Sequence, residues 1–159
     1  GDAIAITCMR YKKFSKLDFK KFHPSGSLGA RLRTVEELMV KNKNIPYINE
    51  NLNMKTALKV FNKKNLGVLI AINHKGNTTG IISDGDVKRI NIKSENIKNL
   101  IVKKVMKRNP KIVNENNLAV EALSIMNDNK ITALCVYKQK KRKIIGLIHM
   151  HNILNANII

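Results

Sequence analysis

Two stretches of the chain resemble each other, and this internal repeat constrains the fold more than any other feature of the sequence. Residues 51–62 and 116–127 align, and both place apolar side chains at the spacing of one helix face. Each stretch is followed by an apolar run rich in β-branched residues, at 66–72 and 131–137, which is typical of a buried strand. The pattern therefore predicts the same helix and strand twice.

Further matching elements surround these stretches. A polar turn and a second short strand, at 80–82 and 144–148, follow the apolar runs and lead into a closing helix. A helical piece and a strand-like piece precede each repeated helix, at 35–39 with 45–48 and at 102–106 with 110–113. The unit is thus β-α-β-β-α. Because one small copy would bury a low fraction of its surface, we expect the two copies to pack sheet against sheet around a pseudo-twofold cleft.

The formal net charge of +19 raises the question of nucleic-acid binding. Lysine supplies 24 of the 30 cationic side chains, and the dense run at 138–143 falls on a predicted hairpin turn, which indicates a solvated loop. Proteins that bind nucleic acid specifically usually contact bases with bidentate arginines or stack them on aromatic side chains. In this chain aromatic residues are 4% and tryptophan is absent. A basic nucleic-acid-binding module therefore stays the less favoured alternative.

Cysteine content and hydropathy indicate the cellular compartment and the relation to membranes. The two cysteines, Cys8 and Cys135, lie in apolar settings, which predicts buried thiols in a reducing, cytoplasmic compartment. No apolar run approaches the ~20 residues of a membrane-spanning helix, so no membrane partner is expected. The chain opens with Gly1 and has no initiator methionine, which we interpret as a piece of a longer protein.

A glycine, an apolar pair, a serine and, three residues later, an aspartate mark the start of the closing helix in the first copy. This segment, residues 80–89, reads GIISDGDVKR, and residues 146–152, GLIHMHN, are its counterpart in the second copy. Together with the repeat, it resembles the cystathionine β-synthase (CBS) domain pair, or Bateman module, over about residues 36 to 157. The resemblance implies an α+β fold of tandem CBS domains, two β-α-β-β-α repeats packed sheet to sheet with pseudo-twofold symmetry.

The residues before the pair carry a second resemblance. Residues 18–32, DFKKFHPSGSLGARL, are similar to the segment that closes the sugar isomerase (SIS) domain in the D-arabinose-5-phosphate isomerase family, although Ser25 stands where that family usually has glycine. The implied domains are a SIS remnant and linker at 1–34, CBS domain 1 at 35–97 and CBS domain 2 at 98–159. The implied parent enzyme converts D-ribulose 5-phosphate to D-arabinose 5-phosphate, for the Kdo branch of lipopolysaccharide synthesis in a Gram-negative cytoplasm.

In CBS domains the motif of the first copy binds a nucleotide. The resemblance therefore implies that Asp86 accepts from ribose hydroxyls and that Ser83 meets ribose or phosphate, and helix starts and hydroxyls suit anions. The implied nucleotide-binding set is Ser83, Asp84, Asp86, Lys88 and Arg89, the two cations adding phosphate contacts. The alternative is that the polar residues only cap the helix.

The second copy departs from this motif. His149 replaces the hydroxyl and Asn152 replaces the carboxylate, so a weaker or empty site is expected, because an amide lacks the charge that strengthens a hydrogen bond. His149 and His151 are too few ligands for a zinc site without a nearby cysteine or carboxylate, so no metal is predicted. Packing or capping is the favoured interpretation of these histidines.

His23 is the one candidate catalytic residue. The resemblance places it in the isomerase active site, where histidine suits proton transfer near neutral pH. The other catalytic groups of the family would lie upstream of Gly1, so we expect His23 to be vestigial here and the chain alone to be inactive.

The resulting prediction is a regulatory and dimerising module of a sugar-phosphate isomerase. It is expected to need no cofactor, to sense a regulatory nucleotide (AMP, ATP, CMP or CMP-Kdo) and to form a homodimer or tetramer through CBS pairs. The alternatives are a stand-alone nucleotide-binding CBS protein and the basic nucleic-acid binder.

Overall fold

The structure, a computed structural model, describes residues 32–93, 96–138 and 143–158. The predictions for Cys8, His23 and nearly all of the SIS-like segment lie outside the described residues, as does most of the lysine-rich turn. Within the described ranges, none of the helices has the length and apolar character that crossing a bilayer requires.

Short elements precede each repeat, and five elements form it. The first half of the chain contains α1 (Val35–Leu38), β1 (Val40–Lys41), β2 (Tyr47–Asn49), α2 (Met54–Lys64), β3 (Val68–Ile72), β4 (Thr78–Ser83) and α3 (Asp84–Lys93). The second half contains α4 (Val102–Val105), β5 (Ile112–Asn114), α5 (Ala119–Asp128), β6 (Ala133–Tyr137), β7 (Ile144–His149) and α6 (Met150–Leu154). The predicted β-α-β-β-α unit is confirmed in both copies.

Local sequence explains where the repeated helices begin and end. Asn53 caps α2, because its side chain accepts a hydrogen bond from the Thr56 amide at 3.0 Å. Asn65 ends the same helix in the left-handed conformation, at φ 49°, which asparagine tolerates better than most residues. Glu121 caps the start of α5, because its carboxylate accepts a hydrogen bond from the Leu118 amide at 3.1 Å.

Each repeat builds one sheet. In the first sheet β3 lies between β2 and β4, parallel to β2 and antiparallel to β4. In the second sheet β6 lies between β5 and β7, parallel to β5 and antiparallel to β7. Strand β1 pairs with the other edge of β7. The edge strand β1 therefore joins the first half of the chain to the sheet of the second repeat.

The two sheets pack face to face through an apolar core. Ile70 from the first sheet and Cys135 and Leu147 from the second are fully buried there. The Tyr47 hydroxyl donates to the Ile144 carbonyl at 2.9 Å, which links the sheets by a side chain as well. The predicted sheet-to-sheet packing is confirmed, and so is the buried Cys135, whose thiol pKa is raised to about 12 by burial.

The helices that precede the repeats are exchanged between them. Val35 of α1 packs in the core of the second repeat, and its amide donates to the Asn117 carbonyl at 2.9 Å. Val102 of α4 packs in the core of the first repeat, where its amide donates to the Leu52 carbonyl at 2.9 Å. The domain ranges 35–97 and 98–159 stay a prediction; in space, each repeat also uses the helix that begins the other range.

Two glycines let the exchanged segments approach the sheets. A Cβ at Gly80 would lie 2.7 Å from both the Lys107 carbonyl oxygen and the Met106 sulfur. A Cβ at Gly146 would lie 3.1 Å from the Val40 carbonyl oxygen and closer still to the Met39 sulfur. The same close contact therefore occurs once in each half of the molecule.

We predict that Gly80→Ala lowers the free energy of unfolding by about 1–3 kcal/mol, because the added methyl group overpacks a contact with backbone. Gly85→Ala is the matched control, since its nearest neighbour would be an Arg89 side-chain atom at 3.5 Å, an ordinary contact. Urea unfolding of both variants checks this. Equal stability of Gly80→Ala and the wild type would contradict the contact.

Candidate functional site

A cleft of about 490 Å³ lies between the two repeats. One wall is the junction of β4 and α3, and the other is formed by the segment before β5 and the turn before β6. Its lining residues are Val68, Ile81, Ser83–Asp86, Arg89, Lys107–Lys111 and Asn129–Ala133.

Ser83 and Asp86 form reciprocal hydrogen bonds at the start of α3. The Asp86 amide donates to Ser83 Oγ at 3.3 Å, and the Ser83 amide donates to Asp86 Oδ2 at 3.0 Å. The Ser83 hydroxyl also donates to Asp86 Oδ2, at 2.6 Å. The predicted capping role of these two residues is thus observed, and it orients the carboxylate at the cleft.

Two cations meet the other oxygen of the same carboxylate. Arg89 Nη2, one helical turn further along α3, lies 2.5 Å from Asp86 Oδ1. Lys107 Nζ reaches the same oxygen at 2.8 Å from the opposite wall of the cleft. Asp86 is 5% exposed, whereas the Arg89 and Lys107 side chains are 59% and 62% exposed. A buried acid is therefore paired with two largely solvated cations.

The pKa of Asp86 reflects these partners. Burial of the carboxylate acts to raise its pKa, but hydrogen bonds from Lys107, Ser83 and Arg89 outweigh burial and hold the pKa well below the usual range for aspartate. The group is therefore a carboxylate at neutral pH.

The structure brings together most of the predicted binding residues. Ser83, Asp84, Asp86 and Arg89 line the cleft, whereas Lys88 is exposed and is not among the lining residues. Four further cations line it that the motif did not indicate, namely Lys107, Arg108, Lys111 and Lys130. They come from segments distant in sequence, and the pairing of Ile81 with Lys107 brings the first of them to the cleft.

The second copy repeats the local geometry with different chemistry. The His149 amide donates to Asn152 Oδ1 at 3.1 Å, and His149 Nδ1 accepts from the His151 amide at 3.2 Å. The two imidazole rings stack with centroids 5.1 Å apart. Burial, helped by the neighbouring His151, lowers the pKa of His149 against an opposing effect of Asp84. The capping interpretation is supported, and no group of three metal-ligating side chains occurs among the described residues.

The charged set of the first copy has neutral counterparts in the second. Counting from Gly80 and Gly146, Asp86 corresponds to Asn152 and Arg89 to Asn155. Counting from Met106 and Met39, which touch those glycines, Lys107 corresponds to Val40. All three members of the charged cluster are therefore replaced together.

A family model described as the CBS domain matches residues 35–92 and 102–158. The chain belongs to the CBS domain family. Its relatives include the arabinose 5-phosphate isomerase KdsD of Pseudomonas aeruginosa, which is 35% identical over 159 residues. That alignment covers 99% of this chain and 48% of the relative, so the chain spans about half the length of such relatives.

Solved CBS-pair structures share the fold. CBSX2 in complex with AMP has a TM-score of 0.66 and 21% identity, covering 77% of this chain and 94% of that one. The CBS domain pair of MJ0100, in complex with 5-methylthioadenosine and S-adenosyl-L-methionine, has a TM-score of 0.68 and 19% identity, covering 77% and 98%. The predicted tandem CBS fold is thus confirmed.

We predict that Asp86→Asn lowers the free energy of unfolding by about 1–3 kcal/mol at pH 7, because charged hydrogen bonds are lost. The pKa of Asp86 is lower in the folded state than in the unfolded state. Its carboxylate therefore contributes to the free energy of unfolding above the unfolded-state pKa, and this contribution is lost as the pH falls through the folded-state pKa. The difference between wild type and variant should therefore be full above about pH 5 and shrink as the pH falls below about 4.

Urea unfolding at several pH values from 7 to 3 measures this difference. The exposed Asp128→Asn is the control, and it should change stability by less than about 0.5 kcal/mol. A constant difference between wild type and Asp86→Asn across this range would show that the carboxylate charge is not what stabilises the helix start.

Proposed function

We propose that the chain is the nucleotide-sensing and dimerising module of a sugar-phosphate isomerase of the arabinose-5-phosphate type. The observation that carries the proposal is the cleft in which Ser83 and Asp86 face a cluster of cations from the other repeat. The similarity to the isomerase KdsD along nearly the whole chain supports the choice of parent enzyme. We further propose that the chain alone does not interconvert ribulose 5-phosphate and arabinose 5-phosphate.

The composition of the cleft favours a ligand with a sugar diol and phosphate. Its cations are Arg89, Lys107, Arg108, Lys111 and Lys130, and its acids are Asp84 and Asp86. A carboxylate accepts from two neighbouring hydroxyls, and the excess of cations suits a phosphate. The volume of about 490 Å³ falls within the roughly 300–1,000 Å³ of small-molecule sites. Apolar side chains on the walls, including Val68 and Ile131, suit the face of a base.

The bound ligands of the similar structures support the sugar and base of this class, and the AMP of CBSX2 supports the phosphate as well. AMP in CBSX2 and the two adenosine derivatives in MJ0100 each contain a ribose and an adenine. For this chain we propose a nucleotide or sugar nucleotide, with AMP, ATP, CMP and CMP-Kdo as the candidates, acting as a regulator and not as a required cofactor. Ser83, Asp84, Asp86 and Arg89 form the proposed site, and His149 with Asn152 form the weaker one.

Association through CBS pairs, as a dimer or tetramer in the cytoplasm, stays part of the proposal. The helix faces around Ala57, Ala122 and Met126 pack inside the pair, where all three side chains are fully buried. These three side chains are therefore not available for contacts between pairs. Ile92, at the end of α3, is 85% exposed and offers apolar area for such a contact.

We predict one dominant binding site in calorimetric titrations with AMP, ATP, CMP and CMP-Kdo. Asp86→Ala should lose binding, whereas Asn152→Ala should leave it nearly unchanged, because a charged acceptor is worth more than a neutral amide; we expect a preference of roughly tenfold for the first site. Circular dichroism confirms that both variants are folded. Loss of binding in Asn152→Ala with none in Asp86→Ala would reverse the assignment, and no binding of any compound would leave a structural dimerising role.

A further inference from the structure

We propose that Lys107 competes with the ligand for Asp86, holding the carboxylate until sugar hydroxyls replace it and then pairing with the ligand's phosphate. This inference rests on the proposed function and deepens it. Its consequence is a requirement that one ligand carry both a diol and an anionic group. A nucleoside should bind poorly because it displaces Lys107 without giving that cation a new partner.

The hydrogen bonds of Asp86 show which oxygen a ligand reaches. Oδ2 accepts from the Ser83 amide and hydroxyl at 3.0 and 2.6 Å, and these contacts cap α3. Oδ1 is shared by Arg89 at 2.5 Å and Lys107 at 2.8 Å. A carboxylate oxygen has two lone pairs, so both oxygens are already fully used. A hydroxyl donor must therefore displace one of the two cations from Oδ1.

Lys107 is the cation that leaves more easily. Arg89 lies three residues from Asp86 on the same helix, which keeps the two side chains adjacent. Lys107 reaches across the cleft from another segment on a flexible stem. Its backbone is held by two hydrogen bonds with Ile81, each 2.9 Å, so the side chain can turn while the segment stays in place.

Charge explains why the exchange selects the ligand. The Lys107 ammonium and the Asp86 carboxylate attract each other as opposite charges in addition to their hydrogen bond, whereas a hydroxyl offers the carboxylate a hydrogen bond alone. A hydroxyl is therefore a poorer partner for this buried carboxylate than an ammonium group. A nucleoside that replaces Lys107 at Asp86 therefore binds less favourably. A nucleotide offsets the loss of the Lys107–Asp86 ion pair, because the released Lys107 pairs with its phosphate in the same cleft, beside Arg108 and Lys111.

The second copy supports a specific role for this lysine. Val40 stands at the position that corresponds to Lys107, and Asn152 and Asn155 stand at those of Asp86 and Arg89. The neighbouring position is cationic in both copies, as Lys41 and Arg108. The general abundance of lysine therefore does not account for Lys107, which occurs where the acid occurs and is absent where the acid is absent.

The test compares a nucleotide with its own nucleoside in wild type and in Lys107→Met, which keeps the side-chain length and removes the charge. AMP with adenosine and CMP with cytidine are titrated by calorimetry at fixed salt. We expect Lys107→Met to weaken the nucleotide and to tighten the nucleoside, so that the ratio of the two dissociation constants changes by about tenfold or more. Lys104→Met, an exposed lysine of α4 outside the cleft, should leave the ratio unchanged.

The outcomes separate this inference from the proposed function. If wild type binds neither nucleotide, the proposed function fails and the competition fails with it. If wild type binds a nucleotide but Lys107→Met weakens nucleotide and nucleoside equally, or leaves both unchanged, only the competition is overturned. An equal effect of Lys104→Met would attribute the change to net charge and overturn it as well.

Discussion

The contact between the segment Val102–Lys111 and the first repeat is the constraint on which the site depends. Val102 is buried in the core of that repeat, and Met106 lies against Gly80. The paired backbone hydrogen bonds between Ile81 and Lys107, each 2.9 Å, then fix the point from which the Lys107 side chain reaches Asp86. The cleft has its second wall because α4 packs on the repeat that precedes it and not on the one that follows.

The same architecture is built twice, but the charged site is built once. The structural contacts are duplicated. A methionine side chain packs against Gly80 and another against Gly146. The buried acid Glu50 lies 3.4 Å from Lys103, and its counterpart Glu115 lies 3.7 Å from Lys138. The residues at the two helix starts have diverged, from a carboxylate with two cations to an uncharged set. Packing requires the duplicated contacts in both halves, whereas the proposed ligand binding requires the charges only in one.

Much of the fold was predictable because it is encoded locally. Helical spacing and apolar runs identified both copies of the unit, and the motif identified Ser83 and Asp86 at the cleft. Lys107 was not predictable in this way, because its contact with Asp86 depends on a pairing between segments 26 residues apart. Lys88 belongs to the motif but is exposed and does not line the cleft. Residues two apart on a helix do not face each other, whereas Asp86 and Arg89, three apart, meet.

Backbone NMR spectra recorded during separate titrations with AMP and CMP test the central proposal, that the cleft between the repeats is the dominant ligand site. We expect the largest chemical-shift changes at residues 83–89 and 107–111, from opposite walls of one cleft, with little change at 149–155. Shifts centred on 149–155, or small shifts spread evenly over the surface lysines, would contradict it.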